Sequence, residues 1–204
     1  MEASIGLSEL MTVVCGGERA TTRARETMFA VLALASGLVL AAVWGLAAGS
    51  SSLELALADL YKVPMVILLS AITALPAGLV ALRLTNAKLR GSELASAFAT
   101  SIFGGTLVLA TLAPLVAIYY HTSAKAGVPL ALGSVFVALA TASLLFARAV
   151  SRRIAGQPRA ASLLAVVVLV ALFLAALLQF VALASPIIGV HGTVLEGGID
   201  GFHL

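Results

Sequence analysis

Uninterrupted apolar runs, rather than alternation, organise this chain. Five stretches, at 28–49, 64–83, 95–120, 129–149 and 161–188, each hold roughly the 20 apolar residues that a helix needs to cross a bilayer. No charged residue stands away from the ends of any of them. The pattern predicts an all-α fold, a polytopic bundle of five transmembrane helices with short interfacial helices. The third span is long enough to require tilt or a kink. The division that follows is a segment at 1–27, a membrane domain at 28–188 and a tail at 189–204.

The connecting segments carry their own pattern. In residues 51–62, Ser51 followed by Glu54 fits a capping box. Leu53, Ala56, Leu57, Leu60 and Tyr61 then share helical spacing, while Glu54, Asp59 and Lys62 fall elsewhere on the wheel. This predicts a short helix lying in the membrane interface, with Pro64 opening the second span. Residues 4–15 suggest a similar surface helix, interrupted by Gly16-Gly17.

Charge orients the bundle. With the N-terminus in the cytoplasm, Arg19, Arg23, Arg25, Arg83, Lys88, Arg90, Arg148, Arg152, Arg153 and Arg159 lie on the cytoplasmic side. Only Lys62 and Lys125 lie opposite, and this ten-to-two division uses all twelve basic residues. Short loops obey the positive-inside rule, so the expected topology is N-terminus in, C-terminus out. The run after Arg19, Arg23 and Arg25 resembles a signal-peptide core. It reaches Gly49, however, which is too long for one and reads as an uncleaved first span.

Composition agrees with lipid as the main solvent. The chain is 61% hydrophobic and 10% charged, against about a quarter charged in soluble domains. The net charge of +3 does not point to nucleic acid, because the basic residues sit where topology demands them. The single cysteine, Cys15, has no internal disulfide partner and reads as a small apolar residue. Alanine and arginine richness suggests GC-rich bacterial DNA, which makes a bacterial inner membrane the expected location.

Within the spans, the small residues are ordered. Ala33, Gly37, Ala41, Gly45 and Gly49 recur at strict four-residue intervals, and Ala97, Ser101 and Gly105 repeat the spacing in the third span. Helices in lipid associate through such stripes, because close backbone approach replaces the hydrophobic drive available in water. The stripes serve either packing inside the bundle or docking of a partner. Pro76 and Pro114 interrupt the second and third spans, and Thr73 and Thr111 are placed to satisfy the freed carbonyls.

Candidate chemistry is sparse. Ion-coupled transport calls for ionisable groups at depth, and the spans offer only hydroxyls, such as Ser70, Ser134, Thr141 and Ser143, and the Gln179 amide. Gln179 is expected to make an interhelical hydrogen bond. The histidines, His121, His191 and His203, lie in outward segments or at a span end, where they suit neither haem nor metal ligation within the bilayer. No nucleophile–base pairing, phosphate loop or paired carboxylates occur, so no enzyme activity, cofactor or metal is expected. The glycine-containing tail retains Val190, Val194, Leu195, Ile199, Phe202 and Leu204, and reads either as a disordered end or as an arm that docks on a partner outside the cytoplasm.

The order of features resembles one known family. Leu60-Tyr61-Lys62-Val63-Pro64 leads into the second span and Leu112-Ala113-Pro114-Leu115 lies in the third. Together with five spans after a cytoplasmic N-terminus, this looks like bacterial members of the YIP (Ypt-interacting protein) family, over roughly residues 28–188. The resemblance implies a five-span fold and, by analogy with eukaryotic relatives, a membrane-organising role. No residue here carries over an interaction with GTPases.

The expectation is a non-catalytic membrane subunit or scaffold of a larger assembly, in contact with lipids and protein partners as an oligomer or hetero-complex. The alternative is a homo-oligomeric channel or facilitator for a small solute. The topology is directly testable. A reporter active only outside the cytoplasm, fused after Leu204, is expected to be active, and a stably inserted but inactive fusion would reverse the orientation.

Overall fold

The computed structural model describes residues 11–12, 23–84, 90–123, 126–153 and 159–184. Most of the expected 4–15 surface helix lies outside these, as do Cys15, Lys88, Lys125, His191, His203 and the tail. Among the described residues there are five long helices and no strand: α1 (Arg23–Ala48), α2 (Leu53–Leu84), α3 (Gly91–Thr122), α4 (Gly127–Arg153) and α5 (Arg159–Ala184). Each is long and apolar enough to cross a membrane. The end of the bundle holding the α1–α2 and α3–α4 loops is called distal below, and the other proximal.

The expected separate interfacial helix does not exist. Residues 53–84 form one continuous helix of 32 residues, about 48 Å long, and Pro64 lies inside it rather than at its start. Proline is tolerated there because it interrupts one hydrogen bond in a helix held by its neighbours. The cap also falls one residue later than expected. Ser52, not Ser51, accepts a hydrogen bond from the backbone N–H of Leu55 at 3.2 Å.

Sequence neighbours are not always spatial neighbours. Helix α1 packs chiefly on α3 and also on α2, α3 packs on α4, and α2 packs on α5. Helices α2 and α3 scarcely touch, because α1 is wedged between them. The seam between α4 and α5 is bridged by Phe98 of α3. Its ring lies edge-on to Phe146 at 5.7 Å and to Phe173 at 5.3 Å between centroids.

The small-residue stripe of α1 makes the wedge possible. Ala33, Gly37, Ala41, Gly45 and Gly49 are all buried. A Cβ on Gly37 would stand 3.1 Å from Thr106 Oγ1 and 3.3 Å from the Phe103 Cα on α3. One on Gly45 would overlap the Asp59 carbonyl oxygen of α2, and one on Gly49 would come within 2.7 Å of the Ala56 Cα. The stripe therefore faces α3 in its proximal half and α2 in its distal half, inside the chain. In α3, Ala97, Ser101 and Gly105 are buried as well, and a Cβ on Gly105 would stand 3.0 Å from the Ala138 carbonyl oxygen of α4.

Polar contacts close the proximal end. Ser92 Oγ donates to Glu26 Oε2 at 3.1 Å, joining α3 to α1. The backbone N–H of Arg90 donates to Glu93 Oε2 at 2.9 Å, and the Arg153 guanidinium donates to the Glu93 carbonyl, tying α4 to the start of α3.

Overpacking a tight backbone crossing costs about 1–3 kcal/mol or more. Gly45→Leu is therefore expected to lower the thermal unfolding midpoint in detergent sharply. Gly133→Ala, whose added Cβ meets nothing within 4 Å, is expected to hold it or raise it slightly, because alanine is the better helix former. A Gly45→Leu protein as stable as the parent would remove the stripe from the core.

Candidate functional site

The inward face of α2 explains the most unexpected group in the molecule. Val63, Val66, Ile67, Ser70, Ala71, Ala74, Gly78 and Ala81 are all buried and follow helical spacing. Asp59 extends that same stripe one turn further toward the distal end, and its exposure is 0%. The residues expected on the apolar face of an interfacial helix point away from the bundle: Leu53 is 78% exposed, and Leu57, Leu60 and Tyr61 are exposed too. A continuous helix has one inward stripe, and the turn before Pro64 must follow it. The buried spacing continues through Pro64 in the sequence itself, from Asp59 to Val63, Val66 and Ile67.

Neither oxygen of the Asp59 carboxyl has a hydrogen-bond partner. Buried carboxyls are normally satisfied, because an unpartnered charge in low dielectric is costly. The Tyr120 hydroxyl, in the last turn of α3, is likewise buried without a partner. The two groups lie within electrostatic reach of each other, and Lys62, one turn along α2, acts on the same carboxyl. The expectation that the membrane domain buries no ionisable group is thus corrected at this position.

A second polar element lies beside it in the distal half. Trp44 Nε1 of α1 donates to Ser134 Oγ of α4 at 3.0 Å, and Ser134 Oγ donates onward to the Ala131 carbonyl at 2.6 Å. This buried bridge satisfies the indole and joins two helices that flank α3. At the proximal end, a cavity of about 210 Å³ lies where α2 and α3 part, lined by residues such as Val31, Leu34, Leu75, Ala95, Phe98 and Ile102. Its walls are almost wholly apolar.

The remaining expected residues are placed as follows. Thr73 and Thr111 are exposed on the outer faces of α2 and α3, beside the exposed Pro76 and Pro114. Their hydroxyls donate to the carbonyls of Leu69 and Leu107, both at 2.8 Å. A proline frees the carbonyl four residues earlier, here Ile72 and Ala110, so the threonines do not compensate the prolines as expected. A threonine hydroxyl reaches its own turn, i−4, more readily than the neighbouring one. Gln179 is exposed on α5 rather than buried between helices. His121 is exposed at the end of α3, and among the described residues no group of three or more His, Cys, Asp or Glu could hold a metal.

Five apolar helices of spanning length around an internal core make this chain a multi-pass membrane protein. No protein-family model, no curated protein and no solved structure matches it.

Ser134→Ala removes the acceptor and leaves the indole N–H buried, a loss of about 1–3 kcal/mol. Trp44 is the only tryptophan, so its fluorescence reports this bridge alone. The expected result is a lower unfolding midpoint together with a shifted emission maximum. An unchanged spectrum would mean that the bridge does not form.

Proposed function

We propose that this protein is a non-catalytic membrane subunit that assembles with a transmembrane helix of another polypeptide through the outer face of α5. The observation that carries the reading is the exposure of Gln179 on the least buried helix. Only 11% of the α5 span is buried inside the bundle, against 50% of the α3 span. The exposed residues Ala171, Ala175 and Gln179 recur at four-residue intervals, a small-small-polar stripe of the kind through which membrane helices meet. Lipid tails offer the amide no hydrogen-bond partner, whereas a facing helix does.

The channel reading has no comparable support. It relied on hydroxyls lining a path, and Ser70, Thr106, Ser134 and Thr141 each donate to a carbonyl of their own helix. The resemblance to the YIP family is compatible with a membrane-organising subunit and adds no residue to the argument.

Purification in a gentle detergent, with identification of what co-purifies, tests the proposal. A stable complex is expected, and Gln179→Leu is expected to weaken it by roughly 1 kcal/mol, about fivefold. Ala175→Leu should weaken it further while leaving the isolated bundle folded. A protein that runs as a partnerless monomer, or a complex indifferent to both substitutions, would overturn the assignment.

A further inference from the structure

We infer that Asp59 and Tyr120 form a proton-binding site enclosed at the distal end of the bundle. The argument rests on enclosure, on lost partners and on what surrounds the pair. Asp59 has 0% exposure, and both of its carboxyl oxygens lack a hydrogen-bond partner. Its backbone is pressed against α1 so closely that Gly45 is the only residue type that fits opposite. The helix therefore has no freedom to turn the side chain out toward water without breaking that crossing.

The surroundings select the ligand. From α1, the residues facing this end are Ala41, Trp44, Gly45 and Ala48, none of which titrates. From α2 itself, Lys62 lies one turn away and is half-buried, while Glu54 and Tyr61 are exposed. From α3, Tyr120 faces inward, and Tyr119 and His121 are exposed. The distal parts of α4 and α5, 127–135 and 174–184, contain no titratable residue. A metal ion needs several oxygen or nitrogen ligands, and among the described residues the buried, unpartnered side-chain groups at this end are one carboxyl, one phenol and the Ser50 hydroxyl. A proton needs one. When the carboxylate takes a proton from water, its charge is cancelled and a new O–H donor is created. The Tyr120 oxygen is likewise buried, and no hydrogen bond joins it to the carboxyl in this structure, so a side-chain rotation within the enclosure brings the new donor to it. Deprotonation returns the proton to solvent and leaves the carboxylate with Lys62 as its counter-charge. Ionisable groups enclosed in membrane bundles are rare, and proton relays are among the functions they mark.

The site is independent of the outer face of α5, so it stands or falls separately from the subunit proposal. Infrared difference spectroscopy of the full chain in phosphatidylcholine vesicles, between mildly alkaline and mildly acidic buffer, tests it. Aspartate occurs twice, at 59 and 200, so carbon-13 aspartate in an Asp200→Asn background reports Asp59 alone. A protonated-carboxyl carbonyl band that grows on acidification and exchanges slowly in heavy water is expected. Asp59→Asn should abolish it, and Tyr120→Phe should shift it. If Asp59→Asn does not accumulate, the labelled parent compared with Tyr120→Phe decides the question. Absence of the labelled band, or a band that Tyr120→Phe leaves unmoved, overturns the proposal. So does a saturable rise in unfolding midpoint when choline is replaced by sodium or potassium, which would make the ligand a metal cation.

Discussion

The whole bundle depends on how closely α1 can approach its neighbours. In a bilayer, apolar side chains gain little by leaving lipid for protein, so helix association rests on dispersion and on backbone proximity. Gly37 lets α1 lie against Phe103 and Thr106 of α3, and Gly45 and Gly49 let the same helix lie against the first turns of α2. One helix thus grips two others with one stripe. The consequence is topological: α2 and α3, joined by a short loop, are held apart by the wedge, and a cavity opens between them at the proximal end. Phe98 then closes the remaining seam by meeting both Phe146 and Phe173.

That close approach also determines the state of Asp59. Because the Gly45 crossing is made against the Asp59 carbonyl, the residue's position is set by its backbone, and its side chain follows the inward stripe of α2. A larger residue at 45 would separate the helices and admit water to the carboxyl. Packing and electrostatics are therefore one problem at this end of the molecule. The glycine that permits the fold is the same residue that isolates the acid.

The architecture was legible in the chain because length and hydropathy are strong constraints in a membrane. Five spans, the approximate limits of all but the second, and the packing stripes at Ala33–Gly49 and Ala97–Gly105 follow from length, hydropathy and spacing. The directions of individual polar side chains were not legible. Local pattern places the cap at Ser51, turns Asp59 away from the apolar face and turns Gln179 inward; the structure moves the cap one residue along, and packing against other helices decides the other two. Pro64 was given more weight as a boundary than it holds in a helix supported on both sides. The tendency of amides to avoid lipid points Gln179 inward, yet α5 has few neighbours, and among its described residues it buries a narrow stripe, Val166, Leu169 and Phe173, while Leu164, Val167, Leu172, Leu178 and Leu183 stay exposed like Gln179.

Asp59 and Gln179 thus break the expected pattern in opposite directions, one polar group sealed inside and one turned outside. Each is costly where it stands unless something else meets it. What can meet them differs in size. Around Asp59 the enclosing helices leave the carboxyl no exposed surface, so its complement must be small enough to arrive without opening the bundle. Around Gln179 the helix face is open and flanked by alanines, so its complement can be as large as another helix. The same stripe spacing that seals α1 against its own chain recurs on the exposed face of α5, which distinguishes the proposed internal proton site from the proposed external contact surface.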